Sequence, residues 1–232
     1  GEVTKQIPGD YLGIHCHNDT GNAIAGSLAA VQAGVRHIQG SLNGLGERCG
    51  NADLVALIPT LSLKPGFAEN FETGIDAHGL RHLTATSHLL DELLNRAPAR
   101  QAPYVGASAF AHKGGLHVSA VLKNPQTYEH MDPALVGNSR QVLVSNQAGR
   151  SNILARLAEI GIEIDPKHAK VDRLLQEVKQ REFEGYAYDG AEASFELMAR
   201  RVMGEVPDYF DVNGFRVMVE RRYNAKGALI TV

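Results

Sequence analysis

Two imidazoles one residue apart, His15 and His17, are followed at once by Asn18 and Asp19. On an extended backbone residues i and i+2 point to the same face, so both rings can reach one point. Two neutral imidazoles joined by one or two oxygen donors suit Zn²⁺, Mn²⁺ or a similar borderline cation. The same pair could instead hydrogen-bond loop carbonyls at a strand's end. A second cluster, Asn43-Gly44-Leu45-Gly46-Glu47-Arg48-Cys49-Gly50-Asn51, carries glycines that let the backbone approach a ligand closely. Glu47 and Arg48 could pair with each other or orient a ligand. Asn51 could cap the helix that follows it, or its amide oxygen could bind a hard or borderline cation. A third cluster, Phe110-Ala111-His112-Lys113-Gly114-Gly115-Leu116-His117, sets two histidines and a lysine on a glycine-rich loop, with Tyr128, Glu129 and His130 downstream. A histidine within reach of an acidic proton or a carbonyl is the commonest acid–base catalyst, and a solvated loop position is the alternative for each.

These clusters need a frame. Tyr11 to Cys16 is a short apolar run suited to a buried strand, and Gly21 to Gly34 an Ala-rich helix with Ile24, Leu28 and Val31 on one face. Val35 to Leu42 reads as a second strand and Asn51 to Leu63 as a second helix. Strands alternating with helices imply parallel pairing, and both polar clusters fall where a strand gives way to a helix, the edge at which α/β active sites are built. Two βα units cannot close a sheet or barrel, so further strands are expected before residue 1.

Beyond Pro65 the character changes. One helix is expected over His78 to Asn95, then a loop-rich stretch with Pro98, Pro103, Pro125 and Pro133. A helix from about Asn152 stops at Gly161, and another opens at Asp165-Pro166, an N-cap followed by proline at the first helical position. Gly190 to Arg201 reads as a helix, Tyr209 to Val219 as a strand of alternating apolar residues, and a further strand begins near Ala228. A helix and a hairpin are too little for a stable domain, so this end too is expected to continue.

Composition excludes several classes. Hydrophobic residues are 44% and charged residues 21%, ordinary globular values. A net charge of −3 gives no field for nucleic acid. The Glu220-Arg221-Arg222 run reads as a solvated strand edge rather than a phosphate site. No apolar run approaches the ~20 residues of a membrane helix, and no secretory pattern opens the chain. Two cysteines without framework spacing, Cys16 and Cys49, fit a reduced, cytoplasmic setting. Gly44, Gly46 and Gly50 miss the dinucleotide-binding spacing, and there is no P-loop, serine elbow or CxxC. His37, His78, His82, His88 and His168 read as surface or packing residues.

Taken together, GIHCHNDTGNAIAGSLAAVQAG, SLNGLGERCGNADL and SAFAHKGGLHVSAVLKNPQTYEHMDPALVGN resemble the family of 2-isopropylmalate, homocitrate and citramalate synthases, metal-dependent acyl-CoA condensing enzymes. VLVSNQAGRSN and GYAYDGAEASFELMARR are most similar to the citramalate branch. The resemblance covers essentially the whole chain. It implies an α/β fold: residues 1–64 as the last two βα units of a (β/α)₈ TIM barrel, 65–185 as mainly helical, dimer-crossing linker subdomains, and 186–232 as the start of an α+β allosteric domain. It implies a Claisen-type condensation of acetyl-CoA with a 2-oxo acid, pyruvate in the citramalate branch and 2-oxoisovalerate or 2-oxoglutarate in the sister reactions. It further implies a divalent metal (Zn, Mn, Mg or Co) on His15, His17 and Asn51, with Asn18, Asp19, Glu47 and Arg48 around these ligands. Asn18 and Asp19 would fix the imidazole tautomers. His117 and Tyr128 would be supplied across a homodimer to the partner's active site, and an amino acid, isoleucine in this branch, would bind the C-terminal domain. A fourth ligand, a carboxylate-clamping arginine and a glutamate base would lie upstream, so that this chain alone would be inert. A non-catalytic dimerisation and effector-binding module is the reading of another class.

Overall fold

The structure is a computed structural model and describes residues 1–188, 190–207 and 209–231. Strands β1 (Gly13–His15) and β2 (His37–Gln39) pair in parallel, with Ile14 opposite Ile38 and His15 opposite Gln39. Helix α1 (Ala23–Gln32) connects them, and α2 (Leu54–Leu63) follows β2. Residues 13–17 alternate: Ile14 and Cys16 are half-buried, while His15 and His17 are exposed. Cys16, Ile38 and Leu28 pack on Ala23, Ala52 and Leu57. That alternation turns both imidazoles out together. Both strands are shorter than expected. Tyr11 lies in a 3-10 turn and is 83% exposed, because only one strand partner is available on this sheet among the described residues.

The start of α2 also corrects the sequence reading. Asp53, not Asn51, is its N-cap, its carboxylate accepting the Val55 N–H at 2.9 Å. The single helix expected over His78 to Asn95 is two, α3 (Ala77–Leu80) and α4 (Leu83–Leu93), separated by a tight turn in which the His82 N–H bonds to the Gly79 carbonyl. The break lets Leu80 and Leu83 enter one core with Val55, Tyr104, Phe110 and Val136.

Strand β3 (Ala111–His112) pairs in parallel with β4 (Gln141–Val142). The glycine-rich stretch expected as a loop runs straight into helix α5 (Gly115–Lys123), so His117 sits in a helical first turn. Gly115 permits this: a Cβ there would lie 2.9 Å from Gly149 Cα, where the start of α5 abuts that of α6 (Arg150–Glu159). Helix α6 joins α7 (Ala169–Phe183) and α8 (Glu192–Met203) around Ile153, Leu157, Val171, Leu174, Val178, Phe195 and Ala199. Helix α7 does not open at Asp165-Pro166. Asp165 instead accepts the Lys167 N–H in a turn, and His168 Nδ1 caps the helix by accepting from the Lys170 N–H.

Residues 209–219 form no strand. Phe210, Val212, Phe215, Val217 and Val219 are all exposed, because no neighbouring strand among the described residues supplies the ladder they require. The C-terminal hairpin is instead β5 (Arg221–Tyr223) antiparallel to β6 (Leu229–Thr231), with Arg221 and Arg222 solvated as expected of a strand edge.

Candidate functional site

The rings of His15 and His17 lie 5.0 Å apart, edge to face. An isolated antiparallel bridge pairs His17 with Asn51, and the Ala52 N–H donates to the Cys16 carbonyl, so the loop after β2 is laced to the end of β1. The Asn51 amide nitrogen donates to the Leu45 carbonyl at 2.9 Å. Its Oδ1 is buried and has no hydrogen-bond partner. A buried amide oxygen left unbonded costs free energy unless something else satisfies it. Asn51 bridges His17, whose ring neighbours that of His15, and two nitrogen donors with one amide oxygen fit a borderline divalent cation. Among the described residues no three His, Cys, Asp or Glu side chains converge; the third candidate here is an amide.

Of the four surrounding residues, Glu47 and Arg48 lie within ion-pair distance as expected, and Asn18 and Asp19 are bonded elsewhere than to the imidazoles. Arg48 grips Asp19 with two bonds, 2.8 and 2.9 Å, and lies 3.6 Å from Glu47. The Arg48 hydrogen bonds hold the Asp19 carboxyl below its ordinary range, and the Arg48 and His17 charges act in the same direction. Asn18 accepts the Ala23 N–H at 3.2 Å, tying off the start of α1. Neither Asn18 nor Asp19 bonds to an imidazole, so neither fixes a tautomer. The loop is further braced by reciprocal bonds between Asn43 and Ser87, a link to α4 that sequence gave no sign of. Burial pushes the Asp53 carboxyl up against the backbone N–H groups it accepts.

A second constellation gathers around α5. The rings of His117 and Tyr128 stack at 4.2 Å, and both residues are exposed. Beneath them Glu129 is buried, its carboxylate held by Arg140 through two bonds of 2.6 Å and by His112 Nε2 at 3.0 Å. His130 lies between Tyr104 and Phe110 and receives Lys64 on its ring nitrogen and, at 3.0 Å, on its carbonyl. Burial and the Lys64 charge hold the His130 imidazole below its ordinary range. Arg140 was not legible: it lies in an unremarkable Asn-Ser-Arg-Gln stretch, and only the β3–β4 pairing brings it to Glu129. Among the described residues no hydrogen bond or ring contact joins this constellation to His15 and His17.

Burial alone would raise the Glu129 carboxyl, but the Arg140 and His112 bonds and charges outweigh it and hold it below the ordinary value of 4.5. A carboxyl depressed by folding adds stability that is complete above its unfolded value and disappears as pH falls through the folded one. The melting-midpoint gap between the wild type and Glu129→Gln, followed by circular dichroism, is therefore expected to be widest above about pH 4.5 and to close below it. A gap independent of pH would rule out the charged pairing.

Residues 1–86 match the family described as HMGL-like, and residues 104–184 the homocitrate synthase post-HMGL domain. The chain belongs to the HMGL-like family, its first part HMGL-like and its later part of the post-HMGL kind. Within it, the chain is 48% identical to the (R)-citramalate synthase of Aquifex aeolicus over 225 residues, 95% of this chain and 42% of that protein. It is 52% identical to the (R)-citramalate synthase of Synechocystis sp. over 206 residues, 89% of this chain and 37% of that protein. A 2-isopropylmalate synthase of Methylacidiphilum infernorum matches at 37% over 170 residues, 73% of this chain and 33% of that protein. The chain thus spans about two fifths of the length of the citramalate synthases it matches.

Proposed function

We propose that the protein carrying this chain condenses acetyl-CoA with pyruvate and water to give (R)-citramalate and CoA, on the route to isoleucine. The observation that carries this reading is the identity of 48% and 52% to citramalate synthases, against 37% over a shorter stretch to a 2-isopropylmalate synthase. In this reading residues 1–64 are the last two βα units of a (β/α)₈ barrel, 65–185 are linker subdomains acting across a homodimer, and 186–232 open the domain that binds the amino-acid effector. No helix among the described residues is long and apolar enough to cross a membrane, and we place the enzyme in the cytoplasm.

His15, His17 and the free Oδ1 of Asn51 would hold a divalent cation; its identity among Zn, Mn, Mg and Co is not set by these donors. When bound, such an ion supplies Lewis acidity toward the carbonyl of a 2-oxo acid. The chain's own residues do the rest. The Asn51 N–H₂ bond to Leu45 takes up the amide nitrogen and leaves the oxygen unbonded. The Asp19–Arg48 pair locks the two loops that carry the ligands. His117, with Tyr128 stacked on it, would donate a hydrogen bond to the thioester oxygen or move a proton during carbon–carbon bond formation.

The test is thiol release by the full-length protein with acetyl-CoA, Mn²⁺ and each of pyruvate, 2-oxoisovalerate and 2-oxoglutarate. Pyruvate is expected to give the highest kcat/KM by about tenfold or more, since small apolar differences in a pocket discriminate on that scale. A higher kcat/KM for 2-oxoisovalerate would move the protein to the leucine branch.

Gly46 gives a second, narrower expectation. A Cβ at this position would stand 2.5 Å from the Asn51 amide nitrogen and 2.9 Å from its Cγ. Gly46→Ala must therefore displace the amide. Mn²⁺ affinity, measured by electron paramagnetic resonance on the full-length protein, is expected to fall roughly 10- to 100-fold, the scale for disturbing a ligand's support. Unchanged affinity would remove Asn51 from the donor set.

A further inference from the structure

We infer that Glu129 is the positioning residue for the His117–Tyr128 pair, tethering the carriers of both rings to one buried carboxylate. Both of its oxygens are occupied: Oε1 accepts from His112 Nε2 at 3.0 Å and Arg140 Nε at 2.6 Å, and Oε2 from Arg140 Nη2 at 2.6 Å. The Glu129 side chain is 2% exposed. His112 belongs to β3, and the chain runs from it through Lys113 and Gly114 into α5, whose first turn holds His117. Arg140 stands immediately before β4, the partner of β3. On the other side Tyr128 is the residue next to Glu129.

The two neighbours point in opposite directions, Tyr128 outward at 48% exposure and Glu129 inward at 7%. The other hydrogen bonds of the tyrosine and its turn run within their own segment, while Lys64 binds His130, two residues further on, from the end of α2. Asn124 accepts the Gln126 N–H, and the Pro125 carbonyl accepts from Tyr128 and Glu129. Those bonds shape the turn without fixing where it lies. The carboxylate fixes it against β3 and β4, and thereby sets one ring over the other.

A buried ion pair is weak ground for stability, because desolvation consumes much of the Coulomb gain. What a bidentate arginine and a directed imidazole N–H add is orientation. Asymmetric anchoring of this kind suits a site in which a displacement of about 1 Å costs about a hundredfold in rate. This reading rests on the proposed reaction for its kinetic consequence only; the geometric one is independent of it.

The test uses the full-length protein labelled with 3-fluorotyrosine. The Tyr128 fluorine resonance is assigned by its disappearance in Tyr128→Phe. In Glu129→Gln this resonance is expected to move toward that of unstacked tyrosine. With pyruvate, kcat is expected to fall roughly 10- to 100-fold while KM for acetyl-CoA stays within about twofold, the split expected when alignment rather than binding is lost. Arg140→Lys keeps a cation beside Glu129 but loses the fork, so it should shift both readouts the same way by less. A resonance and kcat at wild-type values in Glu129→Gln, with only the melting midpoint lowered, would overturn the inference and leave Glu129 a packing residue. Should Glu129→Gln fail to fold, Arg140→Lys is read by the same two criteria. Should the wild type turn over no 2-oxo acid, the proposed function fails, and the fluorine shift alone decides the positioning role.

Discussion

Replacing His17 by alanine in the full-length protein is expected to lower metal-dependent turnover by about a thousandfold, roughly 4 kcal/mol of activation free energy. The size follows from what the residue supplies. In the proposed site His15 and His17, brought to one place by strand alternation, would be the two nitrogen donors, and Asn51 would contribute a single neutral oxygen. Removing one of three donors weakens the site's hold on a cation whose Lewis acidity has no substitute in the side chains around it. Arg48 is taken up by Asp19, and Asn18 by the Ala23 N–H. The fold should be unaffected, because His17 is exposed and makes no core contact. The melting midpoint without metal is therefore expected to match the wild type, while added Mn²⁺ raises it in the wild type only. Full turnover in His17→Ala would dismiss the donor assignment, and a lowered metal-free midpoint would assign the histidine a structural part instead.

How much of this was legible depended on how local each cause is. The pairing of His15 with His17 needed only the two-residue period of an extended backbone, and it holds in the structure. Asn51 was ambiguous because the residue types that cap helices also ligate cations. The structure assigns the cap to Asp53. The Asp165-Pro166 signal misled for a related reason: an acceptor followed by proline suits a turn as well as a helix start, and the chain makes the turn. The alternating stretch from Tyr209 to Val219 does carry strand periodicity, but a strand forms only against a partner, and none among the described residues lies alongside. The Glu129 network was the least legible part. His112 and Glu129 fall in one segment but at no common period, and Arg140 lies beyond it. They meet because β3 and β4 pair, a long-range event that residue types alone do not encode.

Replacing His117 by glutamine is expected to reduce kcat by roughly a hundredfold to a thousandfold, within the range for losing a positioned acid–base group, with a smaller loss of about tenfold in Tyr128→Phe. The ordering follows from the geometry. At 4.2 Å and 26° the phenol ring lies over the imidazole and holds the plane of that ring, whereas the imidazole is the group that can both give and take a proton. Phenylalanine preserves the stack and removes only the hydroxyl. Glutamine keeps a donor but cannot exchange a proton. If His117 moves a proton, His117→Gln should be no more active than His117→Ala. If the imidazole acts only as a hydrogen-bond donor to the thioester oxygen, glutamine recovers part of the rate that alanine loses. Equal activity of His117→Gln and the wild type would exclude both roles. The pair's exposure adds a condition to either: two rings open to solvent can stabilise developing charge strongly only once another surface closes over them and displaces water. The loss in His117→Gln should therefore be measured at protein concentrations on both sides of any dimer dissociation. Below it, wild type and variant are expected to converge, because the imidazole is then in water in both.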